Sequence, residues 1–161
     1  MLSAPRRLFR WLALSAILAA AGLGGCSTVR EVYPPYTELD IKASADTNPN
    51  IQGQASPVVV RVYELGAKDV FQNSGFFPLF SQDKSVLGPD LLKKSEFELR
   101  PTETKVIHRE LNPATRYLGI VVAYRDIGNA NWRAVIPVDP DGHDTFSVDV
   151  NRLSLAIGRD H

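Results

Sequence analysis

An all-β sandwich or barrel is the fold class expected for most of this chain, and three observations carry the expectation. The apolar runs are short and rich in β-branched residues. Turn residues punctuate them at fairly regular spacing. The last two runs, "DTFSVDV" and "LSLAIG", alternate apolar and polar residues. Period-two alternation between turn signals marks half-buried strands, and many short strands at even spacing mark a sandwich or barrel. About eight strands are expected, near residues 36–45, 57–65, 94–100, 103–111, 117–125, 131–138, 144–150 and 153–158. No internal repeat is present.

The final pair can be placed in register. With Asn151-Arg152 as a two-residue turn, Val150 faces Leu153, Val148 faces Leu155 and Phe146 faces Ile157. All six side chains then share one face, as a half-buried hairpin requires. Asn-Arg lacks the glycine that type I′ turns favour. Upstream, "LNPATRY" (111–117) has the Leu-x-Pro-x-x-x-Tyr spacing of a tyrosine corner, in which Tyr117 would bond the backbone a few residues earlier. The strand that Tyr117 opens is apolar on both faces. Val121 and Ala123 lie on one side, and Leu118, Ile120 and Val122 on the other. A strand buried on both sides needs a second cover.

Residues 67–93 are expected to supply it. They hold Phe71, Phe76, Phe77 and Phe80, while Gly75, Pro78, Gly88 and Pro89 cut them into helical turns. The expectation is a small helical excursion folded onto the outer face of a sheet. A hydrophobic docking or membrane-dipping element is the rival reading.

The N-terminus carries a different message. Arg6, Arg7 and Arg10 precede a largely apolar stretch from Trp11 to Ala21, and small residues then lead to Cys26. That is the layout of a secretory signal. A membrane span needs roughly 20 apolar residues, and this stretch is shorter. Cys26 is the only cysteine, so it is a buried filler, a reactive nucleophile or an attachment point. Leu23-Gly24-Gly25-Cys26 resembles the bacterial lipobox, which favours attachment: a diacylglyceryl group on the thiol, cleavage after residue 25, and Cys26 as the first mature residue. Each buried methylene contributes about 0.8 kcal/mol, so two or three acyl chains, palmitate among them, hold a protein on its membrane. By resemblance to lipoprotein sorting, Ser27 in place of Asp directs the protein to the outer membrane. Residues 26–35, ending in Pro34-Pro35, read as an extended tether, and 36–161 as the folded domain.

Loss of residues 1–25 removes three arginines and leaves 15 basic against 18 acidic side chains, a net charge of −3. Nucleic acid, which selects basic surfaces, is not an expected partner. The histidines His108, His143 and His161 have no metal-ligand spacing. "DPDGHD" gathers Asp139, Asp141 and Asp144 without the spacing or terminal Glu of a calcium loop, and Asp, Pro and Gly are ordinary turn residues. No nucleophile elbow or glycine-rich phosphate loop occurs. Neither an enzyme, a metal site nor a cofactor is expected, apart from the covalent lipid.

One loop stands apart. "DTNPNIQGQAS" (46–56) is longer than a tight hairpin needs and rich in Asn, Gln, Pro and Gly, with Ile51 its only large apolar residue. Loops on rigid scaffolds carry a disproportionate share of function. Asn48-Pro49 would stiffen it and lower the entropy cost of binding.

Taken together, the lipobox cysteine, "NPNIQGQASPVVVRVYEL" (48–65), "FFPLF" followed by "LGPDLL" (76–92), "YLGIVVAYRD" (117–126) and "NWRAVIPV" (131–138) resemble the TssJ family, the outer-membrane lipoproteins of type VI secretion systems. The resemblance implies a transthyretin-like two-sheet β-sandwich with a small helical insertion, and no enzymatic activity. It implies a position on the periplasmic face of the outer membrane, with multiple copies in the assembled complex. The implied partner is the periplasmic C-terminal domain of a TssM-like inner-membrane protein, held through the loop between the first two strands. In this chain that contact maps to Asn48, Pro49, Asn50, Ile51 and Gln52. A different class of function stays open: a sandwich lipoprotein that captures carbohydrate or peptidoglycan on Trp132, Tyr63 and Tyr124. Exposure of those rings would favour it, and burial would favour core packing.

Overall fold

Tyr36–Ala43 alternates outward and inward side chains, and its inward set, Thr37, Leu39, Ile41 and Ala43, is buried. This strand, β1, opens the part of the chain that the computed structural model describes, residues 34–160. The expected signal peptide, Cys26, most of the expected tether and His161 lie outside the described residues. The other strands are β2 (Val58–Leu65), β3 (Leu91–Leu99), β4 (Thr104–Arg109), β5 (Tyr117–Val122), β6 (Arg133–Pro137), β7 (His143–Val150) and β8 (Leu155–Arg159). They form two four-stranded sheets, ordered β4-β1-β7-β8 and β3-β2-β5-β6. All neighbours are antiparallel except β1 and β7, which run parallel. The expected all-β two-sheet sandwich is the observed fold.

The main core lies between the sheets. Leu39, Ile41, Phe146, Val148 and Val150 from one meet Val58, Val60, Val62, Leu118, Ile120 and Val122 from the other. A second core covers the outer face of β2 and β5. There Tyr63, Leu65 and Val121 pack against Phe71, Leu79 and Leu87 from three short helices, α1 (Asp69–Asn73), α2 (Phe76–Ser81) and α3 (Asp83–Leu87). Phe71 and Leu79 are fully buried and Leu87 nearly so; each such side chain contributes about 1.5–3 kcal/mol. Helices this short are marginal alone and form because their apolar side chains find the sheet. The excursion is therefore a cover, as its phenylalanines suggested. It is shorter than expected at its end, because a 3₁₀ turn (Gly88–Asp90) hands over to β3 at Leu91.

Polar side chains fasten the cover. Arg133 donates to the backbone carbonyls of Phe71 (2.8 Å) and Ser74 (2.7 Å). Arg61 stacks its guanidinium 3.7 Å above the Phe80 ring. Asp83 accepts from Lys94 and the Lys84 amide, with Arg61 3.7 Å away. Burial alone would raise the Asp83 carboxyl, but the Lys94 bond, the Lys84 amide and the two cations outweigh it and hold the group below its ordinary range.

Two expectations are corrected. The β7–β8 hairpin pairs Val150 with Leu155, Val148 with Ile157 and Phe146 with Arg159, two residues later than a two-residue turn gives. An even shift keeps each strand's inward set on the core side. The longer turn presents carbonyls that its neighbours use: Arg152 O accepts the Asn48 amide, and Asn151 O and Ser154 O accept the Tyr124 hydroxyl. Tyr117 is not a tyrosine corner. Its place on β5, in phase with Gly119 and Val121, turns it to the outer face toward the helical cover, and among the described residues its hydroxyl has no partner. The corner is held instead by Glu64, fully buried on the inner face of β2. It accepts from the Asn112 amide (3.0 Å), the Thr115 hydroxyl (3.3 Å) and Arg109 of the opposite sheet (3.4 Å).

Candidate functional site

The loop joining β1 to β2 leaves the sandwich at the end opposite Pro34. Its base is built into the domain. Thr47 is fully buried, and its hydroxyl donates to Val150 O at 2.7 Å. Asn48 is buried as well and makes three hydrogen bonds. Its backbone amide donates to Arg152 O (3.0 Å), its Nδ2 donates to Pro57 O (2.7 Å), and its Oδ1 accepts the Arg125 amide (2.8 Å). One side chain thus ties the loop to itself, to the β5–β6 connection and, through its own backbone, to the β7–β8 turn. Its φ of 49° lies in the left-handed region, which Asn tolerates better than most residues.

The tip is a second closed unit. Asn50 Oδ1 accepts the amides of Gln52 (2.9 Å) and Gln54 (3.0 Å), and the Asn50 amide donates to Gln54 O (2.8 Å). Gly53, at φ 81°, closes the turn. Held on this frame, Ile51 is 98% exposed. Large apolar side chains are more often buried in a folded domain, and this frame leaves Ile51 at the surface.

The five residues expected to contact a partner therefore divide. Asn48 is turned inward and acts as the staple of the loop. Asn50, half-buried, organises the tip. Ile51 and Gln52 face solvent, with Pro49 half-buried beside them. The staple role of Asn48 needed the positive φ and the bonds to distant loops, neither of which the sequence displays. Two further residues at this end, Arg125 and Arg152, were not anticipated. Both are exposed, and both line a cleft of about 760 Å³ with the loop tip.

The ring platform for sugars does not form. Tyr63 is fully buried, Tyr124 is buried with its hydroxyl bonded to two carbonyls, and Trp132 is half-buried edge-on to Phe76 at 5.2 Å. Burial pushes the Tyr124 phenol well above its usual range. His108 pairs with Glu38 at 2.9 Å, and His143 meets Pro34 O at 3.1 Å. Asp139 accepts the Asp141 amide within its turn, while Asp144 pairs with Arg159. Among the described residues no group of His, Cys, Asp or Glu is arranged to hold a metal.

Residues 35–153 match the family model T6SS-SciN, described as type VI secretion lipoprotein, VasD, EvfM, TssJ. The fold is similar to that of the T6SS lipoprotein TssJ1 from Pseudomonas aeruginosa, with a TM-score of 0.77 and 34% identity over 80% of this chain and 98% of that one. It is also similar to Serratia marcescens Lip, a membrane-bound component of the type VI secretion system, with a TM-score of 0.72 and 25% identity over 80% and 99%. A chain of a type VI membrane complex shares the fold, with a TM-score of 0.68 and 23% identity over 78% and 99%. No curated protein matches significantly. The family match across nearly the whole described domain, with the TssJ1 likeness over the same span, establishes that this chain belongs to the TssJ family of type VI secretion lipoproteins.

Proposed function

We propose that this lipoprotein is the outer-membrane anchor of a type VI membrane complex, gripping the periplasmic C-terminal domain of a TssM-like inner-membrane protein through the tip of the β1–β2 loop. Membership of the family makes it a membrane-associated, non-enzymatic component of the secretion apparatus. The finer assignment rests on one observation: Ile51, 98% exposed, at the summit of a loop whose base is buried and hydrogen-bonded to two other connections. A loop fixed before binding loses little entropy on binding, so more of the contact energy appears as affinity.

The polarity of β1 supports the same reading. The described chain begins at one end of this strand, on the side toward Cys26, and the loop leaves its other end. At about 3.3 Å per residue, eight residues separate them by about 25 Å. A lipid on Cys26 would hold one end at the outer membrane while the loop faced the periplasm. Several copies in one complex would add avidity, because each bound neighbour raises the effective concentration for the next.

Calorimetry of the mature protein in detergent with the periplasmic C-terminal domain of its cognate TssM-like protein tests the proposal. Intact protein should bind. Ile51→Ser should weaken binding about 30-fold or more, the scale of losing a buried apolar anchor. Absence of binding by the intact protein would overturn the reading.

A further inference from the structure

Eight arginines lie among the described residues, and six are occupied. Arg61, Arg109 and Arg133 brace the sheets and the helical cover. Arg116 donates to two carbonyls, Arg159 pairs with Asp144, and Arg100 lies 3.8 Å from Glu98. The remaining two, Arg125 and Arg152, have no side-chain hydrogen bond or ion pair among the described residues. Both line the same cleft, against Ile51 and Leu153. The carboxylate that lines the cleft with them, Asp126, already accepts Asn129 Nδ2 on both oxygens at 3.0 Å. A domain that is acidic overall thus carries two uncommitted guanidinium groups at one place, beside its most exposed apolar side chain.

The backbones carrying these groups are fixed relative to one another. Asn48 accepts the Arg125 amide and donates to the Arg152 carbonyl, so one buried residue joins both arginine-bearing connections to the loop tip. Two guanidinium forks lining one cleft with Ile51 and Leu153 suit carboxylates, which they bind bidentately, flanking an apolar side chain.

We infer that the docking surface is a three-loop cleft rather than the β1–β2 loop alone, and that it takes an acidic segment of the partner, with carboxylates on Arg125 and Arg152 and an apolar side chain against Ile51 and Leu153. The inference rests on the partner reading above and adds the chemistry of the partner's contact. Charges at the rim of an interface act mainly on the association rate and its salt dependence.

The test uses the mature protein in detergent and the same TssM-like domain, with association rates read at low and high salt. The double variant R125A/R152A should bind about tenfold more weakly through slower association and lose most of its salt dependence, and R125E/R152E should bind more weakly still. Both side chains are exposed, so an unchanged melting temperature should accompany the loss. Unchanged affinity and salt response in R125A/R152A, while Ile51→Ser loses binding, would overturn the acidic cleft and leave the loop reading standing. Absence of binding by the unaltered protein would overturn both.

Discussion

The side-chain oxygen of Asn48 accepts the backbone amide of Arg125 at 2.8 Å, joining connections 77 residues apart in the chain. Nδ2 of the same side chain reaches Pro57 O at 2.7 Å. Replacement by alanine removes the partners of the Arg125 amide and the Pro57 carbonyl, at about 0.5–1.5 kcal/mol for each lost bond, and loses the short polar side chain that makes the left-handed region tolerable. Asn48→Ala should lower the melting temperature by about 5–10 °C in a thermal scan. It should also weaken partner binding although every exposed tip side chain remains. Asn48→Asp, which keeps the acceptor for Arg125, should lose less of both.

Gly119 sets how closely the helical cover approaches the sheet. A Cβ there would come 2.7 Å from the Phe71 ring and 3.0 Å from a Leu65 methyl. Gly119→Ala should destabilise by about 1–3 kcal/mol, the cost of overpacking a filled core, measured by urea denaturation. Phe71→Leu in the same chain should recover part of that loss.

Glu64 and Arg109 pair across the two sheets at 3.4 Å, with the carboxylate fully buried. Removal of one partner leaves an uncompensated charge in the interior. Glu64→Ala should cost about 3–5 kcal/mol in urea denaturation.

Asp83 gives the domain an acid-sensitive contact. Its folded pKa is lowered, so its contribution is fully present above the ordinary value near 3.8 and is lost as pH falls from there through the folded value. Melting temperature recorded from pH 6 downward should fall less steeply below about pH 4 in Asp83→Asn than in the unaltered protein. At neutral pH the variant should be the less stable of the two.

Cys26 is tested in cells. Cys26→Ser should appear in the soluble fraction, still bind its partner and no longer support secretion-complex assembly. Persistence in the membrane fraction would count against the lipid anchor.

What was legible in the sequence follows from where each signal resides. Alternation in "DTFSVDV" located β7, because burial on one face writes a period of two directly into the chain. The phenylalanines of 71–80 announced a cover, because a two-faced β5 demanded one. The β7–β8 register was misplaced by two residues, since an even shift leaves the apolar pattern intact and cannot be detected from it. Tyr117 was given a corner role by spacing alone, whereas its parity on β5 sends it outward. Glu64 holds that corner from within "VRVYEL", where a lone acid between apolar neighbours shows no partner until Arg109 arrives from the other sheet. In the loop, length and composition set residues 46–56 apart, and the structure shows how they are held. The inward turn of Asn48 beneath an exposed Ile51 depended on bonds to residues 125 and 152, and long-range bonds leave no local trace.

The parallel pairing of β1 with β7 has a mechanical consequence. β1 is an interior strand, joined to β4 through six residue pairs and to β7 through eight. A pull between the N-terminal side of the chain and the β1–β2 loop would run along this strand, at right angles to the hydrogen bonds that flank it. In that shear geometry the bonds on both sides share the load and must fail together, whereas a strand peeled from an edge gives way one bond at a time. The strand between the proposed anchor and the proposed grip is thus well placed to carry tension between them.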